Sequence, residues 1–219
     1  LARLPLIDLL VQDLEPVRPA PSWRWATGGW LVASWLIVGI LILATGSLHA
    51  DVLSRLIEQP LVGAGVILGI LTGIGAIAAG LELAVPGGPP SGRLLAVPGV
   101  LLVGWLGLLL IDLRQGHGGG TVEEMMNVPG RLLCPMQTLL FALPPLAIAL
   151  VQLDRRVPIA SPLAGALVGL AAGLVPAVWM QLACMTDPLH TLTHHLSPLL
   201  VLAPLGALAG AIAQLRDRG

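Results

Sequence analysis

The stretch "ASPLAGALVGLAAGLVPAVWMQLAC", Ala160–Cys184, contains no charged residue and exceeds the roughly 20 helical residues that cross a hydrocarbon core. A run of that kind reads as a membrane span. It must be helical, because backbone groups in lipid have to pair within their own segment. Within it Gly165, Gly169 and Gly173 recur at every fourth position, which lays a smooth strip along one helix face and lets a neighbouring backbone approach closely.

Five more segments share this character: Gly28–Leu48, Leu61–Val85, Leu94–Leu113, Leu132–Val151 and Leu192–Ala213. The second repeats the glycine spacing with Gly65, Gly69 and Gly73. The expected fold is all-α: a polytopic membrane bundle of six transmembrane helices with a short N-terminal cytoplasmic amphipathic helix. Composition agrees. Hydrophobic residues make up 56% of the chain and charged residues only 11%, against about a quarter in soluble domains. The lipid bilayer is therefore the first partner. All eleven basic residues are arginine, the net charge is −1, and the aromatics are six Trp and one Phe with no Tyr. Neither a basic nor an aromatic surface is on offer, so direct nucleic-acid binding is not expected.

Glycine and proline mark the connections. "VPGGPPSGR" (Val85–Arg93) reads as a turn, and "RQGHGGGTVEEMMNVPG" (Arg114–Gly130) as the longest loop. Six crossings put both termini on one side. That side holds Arg3, Arg18, Arg24, Arg93, Arg155, Arg156, Arg216 and Arg218, and the other side holds Arg55, Arg114 and Arg131. The positive-inside rule then places both termini in the cytoplasm. The chain divides into a partner-binding arm over residues 1–27, a six-helix domain over 28–213 and a tail over 214–219. It begins at Leu1 rather than Met, so further residues are expected before it, and no signal-peptide pattern is expected. No charge falls near the middle of a span, since Glu82 and Asp112 sit near span ends within reach of Arg93 and Arg114. This argues against a pump, a proton-coupled transporter or a cation channel.

The soft-metal donors sort to one face. His49, His117, Met125, Met126, Cys134, Met136, Met180, Cys184, Met185, His190, His194 and His195 are all of the chain's Cys, Met and His, and this topology puts every one at or near the outer edge. Thiolate and thioether suit Cu(I), and imidazole suits copper or zinc. His190 and His194 stand four apart, so a helix would present both rings on one face. Asp187 is placed to orient a ring. Cys134, Cys184, Met185, His190, His194 and His195 form the candidate metal set, with copper or another soft metal as the ligand. No H-E-x-x-H or C-x-x-C spacing occurs. The two cysteines fit a disulfide, a metal pair or two inert thiols, and all three readings stand.

Ahead of the first span, "LARLPLIDLLVQDLEPVRPAPSWRW" (Leu1–Trp25) carries Leu6, Leu9, Leu10 and Leu14 at helical spacing, with Asp8, Gln12, Asp13 and Glu15 elsewhere around the helix. Pro16, Pro19 and Pro21 end it. An acidic face does not favour an anionic membrane surface. A short apolar-striped helix on a proline-rich tether suits a groove on a soluble partner, and packing against the protein's own membrane end is the alternative. Leu6, Asp8, Leu9, Leu10, Asp13 and Leu14 are the candidate partner-binding residues.

Four landmarks in order, "LIDLLVQDLEPVRP", the "LC" at Leu133–Cys134, "ALPPLAIALVQLDRRVPIASPLAGALVGLAAGL" (Ala142–Leu174) and "ACMTDP" (Ala183–Pro188), resemble the NrsF-like membrane anti-sigma factors over nearly the whole chain. The resemblance implies a six-helix regulator, not an enzyme, that restrains an extracytoplasmic-function sigma factor. It further implies that the segment Leu6–Pro16 holds the sigma factor and that Cys134 and Cys184 sense heavy metal. The segment "CMTDPLHTLTHHL" departs from the family in being rich in histidine and lacking aromatics, which points toward copper. Two other classes compete. A membrane thiol oxidoreductase coupling Cys134 and Cys184 to a quinone lacks a C-x-x-C pair. A small metal transporter or complex subunit would have only Gln137 and Thr138 near Cys134 to pass an ion.

Overall fold

The computed structural model describes residues 22–45, 48, 52–85, 91–115, 133–156, 161–184 and 188–216. Eight helical elements are found among them: α1 Trp23–Ala44, α2 Val52–Glu58, α3 Pro60–Leu83, α4 Ser91–Arg114, α5 Leu133–Asp154, α6 Ser161–Cys184, the single turn α7 Pro188–His190, and α8 Leu199–Arg216. A π-helical turn, Thr191–Leu196, joins α7 to α8. Six segments are long and apolar enough to cross a membrane: α1, α3, α4, α5, α6 and the continuous run Pro188–Arg216.

Every span expected from the sequence is present, with shifted ends. The first begins at Trp23 rather than Gly28, because Trp23, Arg24 and Trp25 tolerate the interface as well as the helix, so hydropathy undervalues them there. It stops at Ala44 rather than Leu48, where the Thr45 N–H bonds Leu41 O and its hydroxyl donates to Ile42 O at 2.9 Å. The sixth starts at Pro188 rather than Leu192. The short helix α2, which packs against α3, was not expected.

Helix α6 is the hub. In its most apolar window 78% of residues are buried, against 17–39% in the other spans. It packs against α8, α3 and α5, and to a smaller extent α1. Composition explains this position: Ala and Gly on all sides of α6 let four neighbours come close. The glycine strips lie in these contacts. A Cβ at Gly165 would fall on the Gly206 carbonyl of α8, and one at Gly169 on the Leu202 carbonyl. A Cβ at Gly69 would meet Val178 of α6 at 2.7 Å and Trp105 of α4 at 3.1 Å. Helix α1 docks through Trp35, whose ring lies 5.4 Å from that of Trp179, and through the Trp30 indole N–H, which donates to Pro145 O at 2.8 Å. The outward faces are apolar: Val32, Leu36, Ile40 and Leu43 of α1 are exposed at helical spacing, as a lipid-facing surface requires.

Candidate functional site

Helices α5 and α6 are consecutive, packed together and joined by a short connection, so they run antiparallel and bring the start of α5 level with the end of α6. Cys134, in the first turn of α5, is half-buried against the core cluster that includes Met180 and Ala183 near the end of α6. The π turn follows at the same level and packs against both helices.

That turn, with the last residue of α7, carries three buried imidazoles. His190 and His194 stack with ring centroids 4.3 Å apart, and His195 stands edge-on to His190 at 4.8 Å. The sequence spacing accounts for the first pair. The wider i→i+5 winding accounts for the third, because it returns residues four and five positions on beneath the same ring. The Thr193 hydroxyl donates to Leu189 O at 2.7 Å and also lies 2.7 Å from His194 Nδ1. A hydroxyl has one proton. Given to Leu189, it leaves Nδ1–H of His194 as the donor to Thr193 and Nε2 as the nitrogen with the lone pair, the form that binds metals. Both ring nitrogens of His195, and Nδ1 of His190, have no hydrogen-bond partner among the described residues.

These imidazoles stack on one another, and among the described residues no group of three or more His, Cys, Asp or Glu is arranged to hold a metal ion. Met180 is buried in the core beside the site, whereas Met136 is exposed on the lipid side. His49, His117, Met125, Met126, Met185, Asp187 and the side chain of Cys184 lie outside the described residues, as do Leu6, Asp8, Leu9, Leu10, Asp13 and Leu14 of the arm.

Two polar groups that were not singled out from the sequence adjoin the turn. Gln181 Oε1 and Trp105 Nε1 are buried without partners among the described residues. A Cβ at Gly65 would lie 3.3 Å from Gln181 Nε2 and 3.4 Å from Trp105 Nε1, so this glycine is what admits both. Gln181, Pro188 and Thr191 share a small cleft with Asp112 at the end of α4. The available signal was a lone amide one turn before Cys184 in an otherwise apolar span.

Comparison with known proteins identifies the family. The family model described as "Negative regulator of sigma F" matches residues 10–214. The carotenogenesis protein CarR of Myxococcus xanthus is 30% identical over 187 residues, which cover 84% of this chain and 75% of that protein. No solved structure matches. A six-span apolar bundle matched almost end to end by this model is a multi-pass membrane regulator of a sigma factor rather than an enzyme, and the chain belongs to the NrsF family.

Proposed function

We infer that this membrane anti-sigma factor holds a sigma factor of the extracytoplasmic-function class through its N-terminal arm, with both termini in the cytoplasm, and releases it when a soft metal such as copper, or an oxidant, meets the donors at the opposite edge. The anti-sigma role rests on family membership. The stripe Leu6, Leu9, Leu10 and Leu14, flanked by Asp8 and Asp13, suits an amphipathic helix laid into a groove of the sigma factor.

One observation carries the sensing half. His195 is fully buried with two ring nitrogens unpartnered among the described residues, inside a stack of three imidazoles that follows Cys184 in the chain. Each buried nitrogen left unpaired costs about 1–3 kcal/mol, and a ligand would relieve that cost. The donor types of Cys134, Cys184, Met185, His190, His194 and His195 suit Cu(I). Since the described imidazoles stack rather than converge, binding requires the edge to rearrange, and that rearrangement is the proposed signal. Taking a population from 1:99 to 99:1 needs about 5.5 kcal/mol of differential affinity, which lies within the scale of thiolate–metal sites.

The test is capture of the sigma factor on membranes holding the full chain, titrated with copper or a thiol oxidant. The parent chain should release its partner. Cys134→Ser with Cys184→Ser, and separately His190→Ala with His194→Ala and His195→Ala, should retain it. Normal release by the cysteine pair variant would remove the thiols from the mechanism.

A further inference from the structure

Helix α5 carries two successive prolines in mid-span, Pro144 and Pro145. Neither has an N–H, so the carbonyls of Leu140 and Phe141 lose the donor four residues on, and the helix is weakened there as a hinge. At that point α5 is tied to α1, because the buried Trp30 indole N–H donates to Pro145 O at 2.8 Å. Each partner leads to a different end of the molecule. Helix α5 opens beside Cys134 and packs against the π turn, while α1 follows the N-terminal arm in the chain.

The face of α1 that carries Trp30 has more donors than it uses. Thr27 and Ser34 lie one turn to either side of it, and their buried hydroxyls have no hydrogen-bond partner among the described residues. As the first and fourth of alternating spans, α1 and α5 run antiparallel. Ser34 therefore stands level with Phe141, whose carbonyl the prolines leave without its helical donor. Ser and Thr hydroxyls are among the groups that satisfy such carbonyls within a membrane. Room to move lies beside the same indole, where Trp30, Trp35, Gly69, Gly73 and Val178 line a groove between α1, α3 and α6. One seat of α1 uses the indole and a shifted seat would use a hydroxyl. Packed interfaces move between discrete seats of this kind.

We propose that the Trp30–Pro145 hydrogen bond is the latch of a double-proline hinge: bending of α5 at Pro144 and Pro145 opens it and lets α1, with the arm, move to a second seat. The imidazoles stack in this structure rather than converge on a ligand, so the closed latch belongs to the resting state. That the movement frees the sigma factor rests on the function proposed above, whereas the hinge and the latch do not.

The experiment is hydrogen exchange of the purified full chain in detergent, read by mass spectrometry over residues 141–149, beside sigma-factor capture on membranes titrated with copper. Trp30→Phe keeps an aromatic ring and removes the donor, so exchange in that segment should quicken roughly two- to tenfold, the scale of one hydrogen bond. Trp105→Phe makes the same truncation at a buried indole whose N–H has no partner among the described residues, and should leave the segment unchanged. Pro144→Ala with Pro145→Ala restores both backbone donors and should slow exchange of the amides around them. In capture, Trp30→Phe should release the factor at lower copper than the parent. The proline variant should bind copper with the parent's affinity and still hold the factor at concentrations that empty the parent. Unchanged exchange in Trp30→Phe, equal quickening in Trp105→Phe, or a proline variant that releases normally or loses its copper affinity would overturn the proposal. A parent chain that never releases with copper would remove the sensing reading alone, and the exchange results would still decide the latch. Should the double proline variant fail to fold, Pro144→Ala carries the same expectation.

Discussion

Gly165 has no room for a methyl group, and this follows from one contact. A Cβ there meets the Gly206 carbonyl, which is backbone and cannot rotate aside, so α6 and α8 would have to separate. Overpacking of this kind costs about 1–3 kcal/mol. At Gly107 nothing lies within 4 Å of the Cβ position, and there alanine should stabilise the helix by about 0.5–1 kcal/mol. Thermal melting in detergent should therefore fall for Gly165→Ala and rise for Gly107→Ala, and equal shifts would show that the close crossing is not what holds the two helices. The fourfold spacing of Gly165, Gly169 and Gly173 was readable in the chain. Its partner face was not, because Gly206 and Gly210 only make sense once α8 is laid against it. His195 poses the reverse test. Leucine has a similar size and removes two buried nitrogens that have no partner among the described residues, so His195→Leu should hold or raise the melting temperature. On the sensing proposal the same variant should blunt metal-induced release, and a melting temperature lowered by several degrees would mark the ring as structural.

The π turn is the element that sequence periodicity could not reveal. A helical reading at 100° per residue puts His194 beneath His190 but turns His195 onto the adjoining face. The i→i+5 winding brings all three together, and nothing in "PLHTLTHHL" announces it. Spans were legible for the opposite reason: about 20 uncharged residues admit few other readings. Their ends were less so, since Trp23 and Arg24 at one end and Arg216 at the other continue a helix while scoring as polar or interfacial. Within the turn, Thr193 connects local geometry to chemistry. Its hydroxyl lies 2.7 Å from His194 Nδ1 and fixes which nitrogen keeps a lone pair. Losing such an outer partner typically costs 10–100-fold in metal affinity. Thr193→Val preserves shape, so calorimetric copper titration of the purified chain should show roughly that loss with little change in melting. An unchanged affinity would separate His194 from the proposed site.

At the scale of the molecule, the arrangement of the spans was not written in their order. Helix α6 is the fifth span yet occupies the centre, because its Ala- and Gly-rich surface accepts neighbours on every side, whereas α4, with Val97, Val100, Val103 and Leu110 exposed, stays at the rim. Orientation is a separate matter that packing does not decide. Six spans return the chain to its starting side, and we propose from the arginines, eight against three, that this side is the cytoplasm. A fluorescent protein fused after Gly219 should therefore light up, and alkaline phosphatase at the same place should stay inactive. Insertion of each reporter within residues 116–130 should give the reverse. The bias has a local source as well: Arg93 is in the first turn of α4, and Arg155 and Arg156 directly follow α5. Changing all three to Gln would leave five arginines against three, and the fusions should then report a mixed orientation. The reverse pattern in the parent chain would put the imidazole edge in the cytoplasm with the arm outside, where no sigma factor could meet Leu6–Leu14. The arm's role as the sigma-holding element would then fail, even though the fold and the family would stand.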